Sequence, residues 1–144
     1  MSSTTTQTRA DDPSRILGID VGSVSLSVAV INLKREILKT AYRFHHGDIR
    51  GTLRETVHDF DLGEIRWVAA TSSTPSLLKA SRRYDNRVAI MEAARHFHPK
   101  IGSILVVGGE AFGLIGFDGN GKYRSFRTNT SCAAGTGSFL DQQA

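Results

Sequence analysis

The chemistry that this sequence suggests centres on its single cysteine, Cys132. Two alanines follow it, then Gly135, Thr136 and Gly137, and a run of good helix-forming residues extends to Ala144. This pattern predicts a helix that begins close to Cys132, where backbone N–H groups and the helix dipole favour a thiolate. A thiolate ligates metals, and small neighbours let a bulky inorganic group approach the backbone. The alternative is a small buried apolar side chain, which is the usual role of a lone cysteine.

Two glycine-containing turns are the second feature that could take part in ligand binding or catalysis. One follows Asp20, and the other follows an apolar run that ends at Val107. A hairpin tip of glycine and serine can direct backbone N–H groups and a hydroxyl at phosphate oxygens, and Asp20 could hold Mg²⁺ through bound water. Taken by itself, such a turn more often only reverses the chain. The residues that we assign to phosphate binding are Gly22, Ser23, Val24, Ser25, Gly108 and Gly109.

Strands must position these turns. Apolar spacing typical of helices predicts one helix from Asp48 to Phe60, one at Asn86–Phe97 and a short one from Pro75. The order strand, glycine turn, strand occurs twice, which predicts two lobes with a ligand between the two turns. Alternating and apolar runs predict strands, the first three in an antiparallel meander, at Arg15–Asp20, Ser25–Asn32, Glu36–Phe44, Ile65–Thr71, Ile104–Val107, Phe112–Phe117 and Lys122–Arg127.

Composition narrows the class of protein. The 144 residues are 40% hydrophobic and 22% charged, which suits one modest domain or one domain and part of another. The net charge is +4, but the basic residues are scattered, so we expect no nucleic-acid partner. No apolar stretch approaches the ~20 residues of a membrane span, and residues 1–14 are polar, which predicts a disordered tail without a secretory signal. One cysteine excludes an internal disulfide and fits a reducing cytoplasm.

Two further sets of side chains are assigned to ordinary structural roles. Trp67 lies in an apolar run and is predicted to be part of the core. No cysteine and histidine have zinc-finger spacing, so the histidines are interpreted as surface residues. They are His45, His46, His58, His96 and His98.

Three motifs resemble those of a known family. Ser131–Leu140 (S-C-A-A-G-T-G-S-F-L) resembles the cysteine motif of the ATP-dependent activators of 2-hydroxyacyl-CoA dehydratases and benzoyl-CoA reductases. Gly18–Ser23 resembles the first phosphate motif of the actin-like ATPase superfamily, to which those activators belong. Gly108–Ile115 (G-G-E-A-F-G-L-I) is similar to the second phosphate motif of the large multidomain activators.

This resemblance implies an α/β, actin-like (ribonuclease H-like) ATPase fold, with a first lobe over 15–100 and the truncated start of a second over 101–144. It implies that the chain is the N-terminal part of a longer activator and is inactive alone. ATP and Mg²⁺ would bind at the turns. Cys132, with Gly135–Gly137 beside it, would help to hold a four-iron–four-sulfur cluster shared by a homodimer. The partner would be an acyl-CoA dehydratase or reductase that receives the electron.

The chain departs from the family pattern in three respects. The first is that the adenosine motif and the second cluster cysteine lie further along the family's sequence, and the other two are at single positions. Val106 stands where the compact activators have an aspartate, and we take Glu110 as the candidate for the missing catalytic carboxylate. Ser27 stands where a lysine is common. Two other functions therefore stay open within the superfamily. One is a sugar or carboxylate kinase-like domain, in which Cys132 is incidental, and the other is a nucleotide-binding module without catalysis.

Overall fold

The computed structural model of the chain describes residues 13–107 and 112–129. Contacts within the chain separate two units, which divide between Asp85 and Asn86. The division lies earlier than the lobe boundary predicted at residues 100 and 101, and it groups the helix at Asn86–Phe97 with the strands that follow it. The assignment of lobes itself stays a prediction.

A five-stranded mixed sheet forms the first unit. Short turns join β1, β2 and β3 into the predicted antiparallel meander, whereas β4 is reached through α1 and runs parallel to β1. Such a crossover is what a parallel pair requires. The strand order is β3-β2-β1-β4-β5, so β1 lies at the centre. The elements of this unit are β1 (Arg15–Val21), β2 (Ser25–Asn32), β3 (Ile37–Phe44), α1 (Ile49–His58), β4 (Ile65–Thr71) and β5 (Arg82–Tyr84).

The core of this unit lies between one face of the sheet and α1. Every second residue of β1 and β2 is buried, as a sheet with one covered face requires. Asp48 fixes the start of α1, because its Oδ1 accepts a 2.8 Å hydrogen bond from the amide of Gly51. The buried core consists of Leu17, Ile19, Val21, Leu26, Val28, Val30, Leu53 and Phe60.

The described part of the second unit is a helix followed by a three-stranded antiparallel sheet of order β6-β7-β8. Its β7–β8 turn is closed by Asp118, whose Oδ1 accepts hydrogen bonds from the amides of Asn120 and Lys122, and by Gly121, whose φ is 74°. Arg95 lies with its guanidinium 4.8 Å from the centre of the Phe117 ring and donates to the Gly121 carbonyl. The elements are α2 (Asn86–Phe97), β6 (Ser103–Val107), β7 (Phe112–Phe117) and β8 (Tyr123–Asn129).

Two predictions about the first unit are wrong. Residues after Pro75 form only a turn, in which the Leu78 amide donates to the Pro75 carbonyl at 3.0 Å and Arg83 donates to the Pro75 and Leu78 carbonyls. Trp67 is 45% exposed. It pairs with Ile16 across β1 and β4, so the pleat places it on the face opposite to the core.

No helix in the described ranges is long and apolar enough to cross a membrane.

Candidate functional site

The site is built around Asp20, which lies near the carboxyl end of the central strand β1 and is half-buried. The parallel neighbour β4 ends at Thr71, at the same edge of the sheet. Parallel strands bring their carboxyl ends together, so the loop after β4 lies beside the turn after β1. This edge is where open α/β sheets commonly bind ligands.

Two hydroxyl groups, one from the last residue of β4 and one from the loop after it, orient the carboxylate. Thr71 Oγ1 donates a 2.6 Å hydrogen bond to Asp20 Oδ1, and Ser73 Oγ donates to the same oxygen at 3.1 Å. Within the described ranges, Oδ2 of Asp20 accepts no hydrogen bond. Hydrogen bonds to an ionised acceptor are the strong ones, so Oδ1 is held in place while Oδ2 is left for water or a hydrated cation.

The loop after β4 is itself held in place, through the side chain of Thr74 and through Arg83. Thr74 is 2% exposed, and its Oγ1 accepts from the Val21 amide at 3.2 Å and donates to the Ile19 carbonyl at 3.3 Å. Arg83, on β5, donates to the carbonyls of Thr74, Pro75 and Leu78 at 2.5, 2.9 and 2.6 Å. The position of Asp20 thus depends on Thr74 and Arg83 although neither touches its carboxylate.

The β1–β2 turn presents free amides beside Asp20. The Gly22 amide closes the turn with a 2.8 Å bond to the Ser25 carbonyl, whereas the amides of Ser23 and Val24 donate to nothing in the described part of the chain. Both residues are exposed. A Cβ at Gly22 would meet only the Ser25 carbonyl oxygen, at an ordinary 3.6 Å, and no residue of the turn has positive φ. Within the described residues, neither a steric contact nor a positive φ requires glycine at position 22, and the turn leaves room for a ligand to approach the backbone closely.

His45 lies behind this turn. It is only 6% exposed, so the prediction that it is a surface residue is wrong. Its Nε2 lies 3.1 Å from the Gly22 carbonyl oxygen, and its amide donates to the Val24 carbonyl oxygen at 3.1 Å. The sequence did hold a signal: once β2 pairs with β3, Phe44 lies opposite Ser25, and the next residue must lie beside the turn.

The structure thus brings Asp20, Gly22, Ser23 and Val24 together, with Ser25 half-buried at the start of β2. It adds Thr71, Ser73, Thr74 and His45, which the sequence analysis did not assign to the site. Across the described ranges no three histidine, cysteine, aspartate or glutamate side chains are grouped as a metal site. The predicted site residues that lie outside the described residues are Gly108, Gly109, Glu110, Cys132, Gly135, Thr136 and Gly137.

Donor chemistry at this edge fits a magnesium–nucleotide complex. Mg²⁺ bound in proteins keeps several waters and is held by one or two carboxylates together with phosphate oxygens. Asp20 Oδ2 offers one such carboxylate oxygen, and the free amides of Ser23 and Val24 offer donors for phosphate.

No protein-family model matches the chain. A curated relative that it matches is an uncharacterized protein of Methanocaldococcus jannaschii, 24% identical over 131 residues, which are 88% of this chain and 53% of the relative. The activator of 2-hydroxyisocaproyl-CoA dehydratase from Clostridium difficile, solved with bound ADPNP, is similar with a TM-score of 0.75 and 21% identity, over 89% of this chain and 50% of the activator.

Two further solved structures are similar. Component A of (R)-2-hydroxyglutaryl-CoA dehydratase from Acidaminococcus fermentans gives a TM-score of 0.74 with 26% identity, over 89% of this chain and 52% of component A. The ethanolamine utilization protein EutJ from Carboxydothermus hydrogenoformans gives 0.64 with 16% identity, over 91% and 57%. The chain spans about half the length of these relatives.

The predicted fold class is confirmed: the chain has the α/β fold of the actin-like ATPases. Within that class, the predicted resemblance to the activators of 2-hydroxyacyl-CoA dehydratases is confirmed as well, since the activator of 2-hydroxyisocaproyl-CoA dehydratase and component A of (R)-2-hydroxyglutaryl-CoA dehydratase each align with nearly nine-tenths of the chain.

Proposed function

We propose that this chain is the leading part of an ATP-dependent, iron–sulfur electron-transfer activator of a 2-hydroxyacyl-CoA dehydratase or a benzoyl-CoA reductase-type enzyme. The observation that carries the nucleotide-binding part of the proposal is the fixed carboxylate of Asp20 beside the amides of Ser23 and Val24, which donate to nothing in the described residues. The likeness to a dehydratase activator solved with ADPNP supports the same ligand class.

In this proposal Asp20 Oδ2 positions Mg²⁺ through bound water, and the amides of Ser23 and Val24 bind phosphate oxygens of ATP. The bound Mg²⁺ neutralises charge on the phosphates. Thr71 and Ser73 keep the carboxylate in one orientation, so that little reorganisation accompanies phosphate release. Glu110 supplies a second carboxylate, because Val106, which pairs with Gly113 in the second sheet, cannot.

Cys132, flanked by Gly135–Gly137, is the residue proposed to hold the cluster. The cluster would supply a low-potential electron for the dehydratase or reductase partner. Four thiolates are the usual ligands of such a cluster, and each chain has one cysteine, so a homodimer of residues 1–144 offers only two. In the family a second cysteine and the adenosine contacts come later in the sequence. We therefore expect residues 1–144 alone to hold no cluster and to hydrolyse no ATP.

The test is made on the full-length protein, purified without oxygen. ATP affinity, phosphate release and iron content are measured for the wild type and for two variants. Asp20→Asn keeps an oxygen for the hydroxyls of Thr71 and Ser73 but removes the charge. It should lower phosphate release about 100-fold or more and leave iron content unchanged. Cys132→Ser should lose the iron and keep the ATP affinity.

The role of Asp20 and the role of Cys132 can each be contradicted separately. Phosphate release by Asp20→Asn within about threefold of the wild type would remove Asp20 from ATP turnover, since this is under ~1 kcal/mol. A full complement of iron in Cys132→Ser would remove Cys132 from the cluster.

Val106 favours one second candidate, a nucleotide-binding module without catalysis. In that case the full-length wild type binds ATP but releases no phosphate above a buffer blank. The same three measurements therefore separate the two candidates.

A further inference from the structure

All four polar groups of His45 are used. Besides the contacts of Nε2 and the amide with the β1–β2 turn, its Nδ1 accepts a 3.1 Å hydrogen bond from the Gly47 amide. Its carbonyl accepts from the Asp48 amide at 2.7 Å. A buried side chain with this many partners links two segments, the β1–β2 turn and the corner that connects β3 to α1.

These partners define which ring nitrogen carries the hydrogen. The Gly22 carbonyl can only accept, so Nε2 must donate to it. The Gly47 amide can only donate, so Nδ1 must present its lone pair. The imidazole thus acts as a donor toward the turn and as an acceptor toward the corner.

The corner adopts an unusual backbone to make this contact. His46 has a φ of 45° and Gly47 a φ of 87°, both in the left-handed region, which is unfavourable for a residue with a side chain such as His46. The left-handed backbone of His46 turns the Gly47 amide back toward the ring of His45. The surrounding contacts must therefore hold the corner in this form.

Peptide planarity carries the effect of His45 into the turn. The carbonyl of Gly22 and the amide of Ser23 belong to one planar group and point in opposite directions. A hydrogen bond from Nε2 to the Gly22 oxygen therefore also fixes the direction of the Ser23 N–H, which faces away from His45. The bond from the His45 amide to the Val24 oxygen fixes the next-but-one peptide group in the same way.

We propose that His45 is a positioning residue that fixes the β1–β2 turn so that the Ser23 amide is aimed at a nucleotide phosphate. The inference rests on the proposed function, because it assigns the phosphate to this turn. His45 does not touch the nucleotide itself; it acts through the peptide group between Gly22 and Ser23.

Two variants test the two ring nitrogens of His45 separately. Gln places an amide N–H near the position of Nε2 and keeps a donor for Gly22, whereas Asn places an oxygen near Nδ1 and keeps an acceptor for Gly47. Mg–ATP affinity and thermal unfolding are measured for the wild type, His45→Gln and His45→Asn in the full-length protein. We expect His45→Asn to weaken ATP binding roughly tenfold and His45→Gln to stay within about threefold of the wild type.

Two outcomes of these affinity measurements would contradict the positioning role of His45. Equal ATP affinity in all three proteins, or weaker binding by His45→Gln than by His45→Asn, overturns the positioning role and leaves His45 as support for the β3–α1 corner. A wild type that binds no ATP overturns the proposed function, and this inference falls with it.

A measurement on the unmodified protein gives an independent test in case a variant fails to fold. Nitrogen-15 NMR of the wild type should show the hydrogen of the His45 ring on Nε2, and Mg–ATP should shift the Ser23 amide signal. A ring with its hydrogen on Nδ1, or a Ser23 amide that does not respond while ATP is bound, overturns the inference.

Discussion

Thr71 Oγ1 lies 2.6 Å from Asp20 Oδ1 although 51 residues separate the two in the chain. The contact joins the ends of two neighbouring parallel strands, β1 and β4. Ser73, in the loop after β4, donates a second hydrogen bond to the same carboxylate oxygen. The candidate site is therefore assembled from two separate segments of the first unit, and the hydroxyl of Thr71 is the group that most directly sets the orientation of the carboxylate.

Replacing Thr71 by valine should slow ATP turnover in the full-length protein while the fold is kept. Valine has nearly the same shape as threonine, so the change removes mainly the hydroxyl that donates to Asp20. A hydrogen bond to a charged group contributes about 1.5–3 kcal/mol, which corresponds to a loss of about 10- to 100-fold in phosphate release.

The matched control is Thr71→Ser, which keeps the hydroxyl and should retain turnover close to that of the wild type. Phosphate release at saturating Mg–ATP is the measurement for both variants. Equal turnover in Thr71→Val and Thr71→Ser would show that Ser73 alone orients Asp20.

Alanine at position 22 should weaken nucleotide binding without destabilising the protein. The added Cβ meets only the Ser25 oxygen at 3.6 Å, and the turn has no positive φ that glycine must supply. Any loss of Mg–ATP affinity, which we expect to be about tenfold, then reports the approach of the ligand to this turn. Calorimetric titration and thermal unfolding are measured on the same preparation.

Gly102→Ala is the control for this change, because a Cβ at Gly102 meets nothing within 4 Å. It should alter neither the midpoint of unfolding nor the affinity. If Gly22→Ala binds Mg–ATP as tightly as the control does, the phosphate does not approach the turn closely.

Lysine at position 83 should lower the free energy of unfolding by about 1–2 kcal/mol. The guanidinium of Arg83 reaches three carbonyls of the loop after β4, and an ammonium group cannot reproduce this planar set of donors. Arg82→Lys, on the same strand and equally charge-conserving, should have little effect. Urea unfolding of both variants checks this, and equal stabilities would mean that the contacts of Arg83 add nothing to the fold.

Alanine at position 121 should destabilise the β7–β8 turn by about 1–2 kcal/mol, because Gly121 has a φ of 74° and an L-residue there is strained. Gly119→Ala in the same turn serves as the control, since Gly119 has no such φ and a Cβ there meets nothing within 4 Å. Thermal unfolding of the two variants should differ, and identical midpoints would argue against the left-handed conformation of Gly121.

Local sequence patterns predicted most of the elements. The bounds of β2, β7 and α2 are those predicted. Alternation marks the buried face of β2 and of β7, whereas α2 keeps the helical spacing of its apolar residues although the structure buries none of them. The cap of α1 by Asp48 also follows from the residue type at that position. Asp20 and the glycine turn were predicted because their motif is continuous in sequence.

The remainder of the site depends on strand order, which periodicity does not contain. Thr71 and Ser73 reach Asp20 only because β4 is inserted next to β1, and β5 has three exposed residues with no apolar pattern. His45 belongs to the site only because β3 pairs with β2. The assignments that lie outside the described residues, above all Cys132 and Glu110, stay predictions.

The central place of β1 has a consequence for amide hydrogen exchange. β1 is bonded on one side to β2 and on the other to β4, so its amides should exchange only through opening of the whole first unit. The amides of Ser23 and Val24, a few residues away, donate to nothing in the described residues and have no such protection. The carboxylate of Asp20 is thus carried by the slowest-exchanging segment of the unit, and its phosphate-facing neighbours by one of the fastest. Binding of a nucleotide should therefore slow the exchange of the turn amides, whereas the amides of β1 exchange slowly already without it.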